Sequence, residues 1–298
     1  MTLLNNISNH HLQQILDHAE LTVKEYDPNF NTRHYLKEKI ESQHTRVVYF
    51  QNEAQVPVGI CIKESLSLSY GNLIIHTINA HDQDRFAKLL AEDGCLKGLV
   101  LELIQFRSGF EFMDRLIQLG YREKERVRML HSHLAQYATI TPMPNLTFRE
   151  LTVEDNDTCG KISHLAHQHR THIECYDVYA SPESRREFSD EFRKNKHGIS
   201  IRAACLLMLY NQTPIGIIEV VRNENWGKTI GWIMDIAVLP DYHGMGLGHH
   251  LLGKCLSALH HQGYEYAGLA VTLTNKNAHD LYLSMGFENE QYFVEIIG

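Results

Sequence analysis

The chain has 298 residues, enough for two domains of ordinary size that each bury their own core. A net charge of −8 with no basic run argues against a nucleic-acid partner, and no apolar run is long enough to span a bilayer. The six cysteines form no C-x-x-C pair, the histidine pairs at 249/250 and 260/261 lack the i, i+4 geometry of a helical metal site, and the N-terminus is polar; a reduced cytoplasmic setting without a metal is expected.

Residues 1 to about 20 predict an amphipathic helix with Leu12, Ile15, Leu16 and Ala19 on one side. A strand is expected at Arg46 to Asn52, followed by QVPVGICIKE, and a second at Asn72 to Ile78, which leads into a helix from Asp82 to about Glu92. LKGLVLELIQF reads as a buried strand, Phe110 to Leu119 as a helix, and Gly120 with Tyr121 as the start of another strand. Two prolines and small polar residues then break both periodicities between Ala135 and Leu146, which marks a linker at 135–145.

The second half repeats this order. LTFREL opens it as a strand, a helix runs from about Glu154 to His169, and the segment RTHIECYDVYASPESRREF follows, with a loop from Arg170 to Pro182. IRAACLLMLY and PIGIIEVVRN are strands with Pro214 and Gly216 at a turn between them, and TIGWIMDIAVL is a third. Local sequence recurs as well: VPVGI at Val56 to Ile60 matches TPIGI at Thr213 to Ile217, and LIQLGY matches LYLSMGF. Two copies of one fold are expected, divided as 1–134 and 146–298. Asp235 and Glu219 stand out, because a carboxylate in an apolar strand must face a polar cleft or a partner.

The run IAVLPDYHGMGLGHHLL, Ile236 to Leu252, joins a strand end, a proline stop, Gly244, Gly246 and Gly248, and a helix start. Such a turn presents backbone amides at the positive end of a helix, which suits a phosphate. The dinucleotide pattern G-x-G-x-x-G fails at His249 and again at Leu251. Gly248, Gly253 and Lys254 come near a triphosphate loop, but Cys255 replaces its hydroxyl residue. Leu247, Leu251, Leu252, Cys255, Leu256 and Leu259 keep helical spacing through it, which puts Gly253 and Lys254 inside a helix.

What remains resembles the acyl-CoA cradle of the GNAT acetyltransferases, V-x-P-x-x-[RQ]-x-x-G-x-[GA], at Val238, Pro240, His243, Gly246 and Gly248. His243 departs from the usual Arg or Gln; if it faces the pyrophosphate, affinity should rise as pH falls through about 6.5. NKNAHDLYLSMGF resembles the family's closing pattern at Asn275, Ala278, Leu281, Tyr282, Gly286 and Phe287. The resemblance implies an α/β (α+β) protein of two tandem GNAT-like domains, each a mixed, mostly antiparallel sheet flanked by helices. The copy at 1–134 is expected to be degenerate, since its turn INAHDQDRF has no glycine, Asp82 or Asp84 would repel phosphate, and Leu116 stands where the other copy has Tyr282.

The implied reaction is acetyl transfer from acetyl-CoA, with no metal, to an amine acceptor, protein or small molecule, by direct attack. Cofactor contacts are implied at Ile236, Ala237, Val238, His243, Gly244, Met245, Gly246, Leu247, Gly248, His249, Asn275, Ala278 and Tyr282. A lysine with a pKa of about 10.4 needs a base at neutral pH, for which Asp235 comes first and Glu219 second. Tyr282 would hydrogen-bond the departing thiolate. In the family the region of Glu174, Tyr176 and Tyr179 covers the acceptor. Two rival readings stay open. One is an acyl-CoA sensor or adaptor without turnover; the other is an effector secreted into a host cell, to which the tandem architecture is similar in VipF-type bacterial proteins. In either, the first copy could hold a protein partner.

Overall fold

The computed structural model describes residues 2–24, 31–43, 45–65, 70–79, 82–94, 96, 100–105, 111–139, 142–168 and 176–297. It divides into two compact units, Met1–Lys124 with Phe293–Gly298, and Glu125–Tyr292.

The first unit runs β1 (Thr2–Leu4), α1 (Asn9–Lys24), α2 (Thr32–Glu41), β2 (Thr45–Gln51), β3 (Pro57–Ser65), β4 (Tyr70–Thr77), α3 (Asp82–Glu92), β5 (Val100–Gln105) and α4 (Glu111–Gln118). Its strands lie in the order β1-β2-β3-β4-β5, all antiparallel except β4 with β5. Strand alternation sends Ile60, Ile62 and Ile74 to a core with Ile15, Leu16 and Ala19 of α1. Cys61, Leu73 and Ile75 face the other way, onto Phe86 and Leu90 of α3 and Phe112 and Leu116 of α4. The parallel pair β4 and β5 is zipped along its length, from Tyr70 with Val100 to Ile75 with Gln105.

The second unit follows with β6 (Arg122–His131), β7 (Leu146–Glu150), α5 (Asn156–His167), α6 (Pro182–Arg193), β8 (Ile199–Ser200), β9 (Leu206–Tyr210), β10 (Thr213–Asn225), β11 (Lys228–Val238), α7 (Leu247–His261), β12 (Tyr266–Thr272), α8 (Lys276–Ser284) and β13 (Glu288–Ile297). Within it the order is β6-β12-β11-β10-β9-β7, with β8 on β10 and only β11 and β12 parallel. Apart from β8, its strand order and helix placement repeat those of the first unit.

The expected halves, 1–134 and 146–298, differ from these units at two strands. Residues 126–131 of β6 pair antiparallel with β12, from Arg126 with Thr272 to His131 with Ala267, and carry Val127 and Met129 into the core around α7. Residues 294–297 of β13 pair with β5 and place Ile296 in the first unit's core. Each unit is therefore completed by a strand from the far side of the expected boundary.

One local expectation is corrected. Pro214 and Gly216 lie inside β10, where the register against β9 shifts, and the hairpin turns at Asn211 and Gln212 with φ of 49° and 65°. Both residues take left-handed backbone, as a two-residue hairpin turn requires. The segment that follows the loop expected at Arg170 to Pro182 is the helix α6. Ser181 caps it, its Oγ accepting from the Ser184 N–H at 3.1 Å, and Pro182 opens the first turn.

Candidate active site

β11 and β12 pair only from Ile230 with Tyr266 to Trp232 with Gly268, although both strands continue. Beyond Trp232 they part. β11 goes on hydrogen-bonding to β10 as far as Val238 with Gly216, and its other edge has no ladder partner among the described residues. At the same level Met234 is an extra residue, since Glu219 faces Asp235 but Val220 faces Ile233. A bulge of this kind bends the strand and sharpens its twist.

The parted strand leads into the cradle. Pro240–Tyr242 form a single 3-10 turn, Gly244 and Gly246 take φ of 77° and 74°, and α7 starts at Leu247 with Gly246 as a cap that has no side chain to bond its first amides. No heavy atom lies within 4 Å of a Cβ built on Gly244 or Gly246, so the backbone there is open to a ligand. Uncapped amides at Leu247, Gly248 and His249 beside bare glycine backbone suit an anion such as a diphosphate. Gly253 and Lys254 lie within α7, so the near match to a triphosphate loop does not form one. The His243 ring donates from Nε2 to the Val238 carbonyl at 2.8 Å. That bond ties the loop to the strand end through one of the two ring nitrogens.

On the other side of the parted strands stands α8. Asn275 occupies its N-cap position, Ala278 is half-buried, and Tyr282 is buried beside Phe287, ring centroids 5.9 Å apart. Among the described residues no hydrogen-bond partner holds the Tyr282 hydroxyl. Burial, and then the charge of Asp235, push its phenol well above the usual range.

Asp235 and Glu219 do not have the free carboxylate that a base needs. Arg185 of α6, fully buried, donates from Nη2 to Glu219 Oε2 at 2.8 Å and to Asp235 Oδ2 at 2.7 Å. Asp235 Oδ2 also accepts from Ser163 Oγ at 2.6 Å, and Oδ1 accepts from His167 Nε2 at 3.0 Å. Glu219 Oε1 takes Arg193 Nη2 at 3.3 Å, and Glu219 is 0% exposed. Burial alone would raise the Asp235 carboxyl. Arg185, His167 and Ser163 outweigh it and hold the group below the ordinary carboxylate range. The assignment of either acid as the direct base is thus corrected: their oxygens are occupied by an internal ion-pair network.

Tyr179 packs its ring edge-to-face on His167 at 4.6 Å and lies 5.5 Å from the Arg185 guanidinium carbon. Tyr176 accepts a hydrogen bond from Arg126 Nη1 at 3.1 Å. The expected acceptor residue Glu174 lies outside the described residues. Ile236 is half-buried, Ala237 buried, and Met245 42% exposed at the rim of the cradle. The sequence pattern did not single out Ser163, His167, Arg185 or Arg193. The available signal was the S-P-E start of α6, which puts Arg185, Ser189 and Phe192 on one buried helix face.

The first unit supplies a comparison within the chain. Gly59 and Gly216 occupy matching positions on β3 and β10, and three residues on, the facing pair Ile62 and Ile74 stands where the second unit has Glu219 and Asp235. Both isoleucines are fully buried. Among the described residues no group of three or more acidic, histidine or cysteine side chains is placed to hold a metal ion.

Residues 165–287 match the sequence profile of the Acetyltransferase (GNAT) family. No curated protein matches the chain in sequence. Among solved structures, a GCN5-related N-acetyltransferase from Sphaerobacter thermophilus is similar at a TM-score of 0.59 with 12% identity, over 99% of this chain and 94% of that one. A functionally unknown conserved protein from Staphylococcus epidermidis ATCC 12228 reaches 0.56 with 13% identity, over 76% and 83%. A tandem GNAT protein from the clavulanic acid biosynthesis pathway reaches 0.52 with 9% identity, over 99% and 97%. Residues 165–287 thus carry a match to the GNAT family, and the fold of the chain is similar to that of GNAT proteins, a tandem one among them.

Proposed function

We propose that the chain transfers the acetyl group of acetyl-CoA to an amine acceptor by direct attack, at one site in the unit of residues 125–292. The observation that carries this reading is the parting of β11 from β12 beside the uncapped glycine start of α7. The diphosphate would rest on the amides from Gly244 to His249, since the His243 N–H is taken by the Pro240 carbonyl at 3.0 Å, with Met245 at the rim. The pantetheine arm would pair with the free edge of β11 at Ile236, Ala237 and Val238, flanked by Asn275 and Ala278. The thioester carbonyl would take its polarising hydrogen bond from that same edge, a contribution often large in acyl transfer.

Tyr282 would then lie at the leaving sulfur. A phenol near pKa 10 is already a weaker acid than a thiol near 8.5, and burial widens the gap, so Tyr282 acts by hydrogen-bonding the thiolate. A hydrogen bond to a charged group contributes about 1.5–3 kcal/mol. Tyr282→Phe should therefore lower the rate of thiol release by about ten- to a hundredfold, with acetyl-CoA affinity by calorimetry within about twofold of wild type. A variant that releases thiol at the wild-type rate would remove Tyr282 from the mechanism. Tyr176 and Tyr179 would face the acceptor.

The first unit serves as scaffold or partner surface in this reading. Its β4 and β5 leave no gap for a pantetheine arm, and Ile62 and Ile74 replace the acids. Calorimetry with acetyl-CoA should accordingly give one equivalent per chain. Two equivalents would overturn the single-site assignment, and binding without thiol release from lysine, polyamine or peptide acceptors would favour an acyl-CoA sensor.

A further inference from the structure

The geometry points to His167 as the group that takes the proton from the attacking amine, through Nδ1, with Asp235 as the positioning residue behind it. This rests on the acetyl-transfer reading above. The carboxylate of Asp235 can only accept, so Nε2 of His167 carries the ring proton and Nδ1 the free lone pair. Nδ1 is buried and has no hydrogen-bond partner among the described residues. Buried polar atoms are nearly always paired, and an open one calls for an explanation. Here it is an open acceptor on a ring bonded to the bulged, parted segment of β11.

The ring is held from two sides. Asp235 fixes its Nε2 edge and Tyr179 packs edge-to-face on it. His167 is also the last residue of α5, where the chain enters the stretch expected to cover the acceptor. The charged and titratable groups in contact with the ring are Asp235 from β11 and Tyr179 ahead of α6, and Arg185 from α6 bonds the same Asp235 and lies 5.5 Å from the Tyr179 ring. Arg185 and Ser163 keep Asp235 anionic, so that it stabilises the imidazolium without taking the proton. In the first unit Ile74 stands at the Asp235 position, so this histidine and carboxylate pair belongs to the unit whose strands part.

The proton count closes. An ammonium acceptor gives one proton to His167 Nδ1, and the freed lone pair attacks the thioester carbonyl carbon. The C–N bond forms, the C–S bond breaks, and the second nitrogen proton ends on the sulfur. His167 returns its proton to water, leaving amide, thiol and one released proton.

His167→Gln tests this, because the amide retains an N–H for Asp235 but is not a base. Acetyl-CoA binding is read by calorimetry, and thiol release by kcat/KM across pH with the best of lysine, spermidine and an amino-terminal peptide. The expected result is unchanged acetyl-CoA binding, a loss of about a hundredfold or more in kcat/KM, and loss of the acidic limb of the wild-type pH profile. In His167→Ala, added imidazole should restore part of the rate, which a merely structural role would not produce. Wild-type kcat/KM and pH profile in His167→Gln, or no imidazole rescue, would overturn the assignment while leaving acetyl transfer standing. If the wild-type chain neither binds acetyl-CoA nor releases thiol with any acceptor, both readings fall.

Discussion

A fragment of residues 146–292 should not fold cooperatively, whereas a fragment of residues 125–292 should. The cut at 146 follows the linker visible in the sequence, but it removes the strand that covers the outer edge of β12 from Ala267 to Thr272. It also takes Val127, Met129 and Leu134 out of the second unit's core, where they are 0%, 0% and 2% exposed. Burying such a side chain contributes about 1.5–3 kcal/mol, so three of them approach the whole net stability of an ordinary domain, about 5–15 kcal/mol. The fragment would further expose β12 as an apolar edge, a route to aggregation. Urea unfolding followed by near-ultraviolet circular dichroism separates the two. A sigmoidal transition with the same midpoint in both would show that β6 is dispensable.

The elements were legible wherever apolar spacing was regular. The stripe from Leu247 to Leu259 announced α7, because helical periodicity reports directly which face is buried. α2 escaped because the helix buries little beyond Thr32 and Leu36. α6 escaped for the opposite reason: the residue at the centre of its buried face is an arginine, and hydrophobic patterning reads arginine as surface. The cradle was legible because positive φ demands glycine and so leaves its mark at fixed spacing. The ion-pair network was not. Asp235 and Glu219 announced themselves as costly carboxylates in apolar strands, but their partners come from α5 and α6, which only the fold brings near. The exchanged strands were hidden too, since a strand's sequence records its burial and not its partner.

Arg185→Met should be the most damaging single substitution in the second unit, and its effect should depend on pH in the direction opposite to the wild type. Among the described residues Arg185 is the one side chain that bonds both Glu219 and Asp235, and removing one member of a buried ion pair costs about 3–5 kcal/mol because the remaining charge stays buried. Arg193 would still hold Glu219 Oε1 and His167 would still hold Asp235 Oδ1, leaving one oxygen of each acid without its guanidinium. In the wild type the Asp235 carboxyl is held below its unfolded value of about 3.9; its contribution to stability is present above that pH and lost as the pH falls below it. Without Arg185, burial becomes the dominant influence on that carboxyl and raises it. Its contribution is then greatest below about pH 3.9 and fades as the pH climbs through the raised value, so the variant should recover stability on acidification from pH 7.5 to 5. Urea midpoints at the two pH values check this: the gap between wild type and Arg185→Met should narrow at pH 5, and a gap that widens there would mean that the two acids are not held by Arg185.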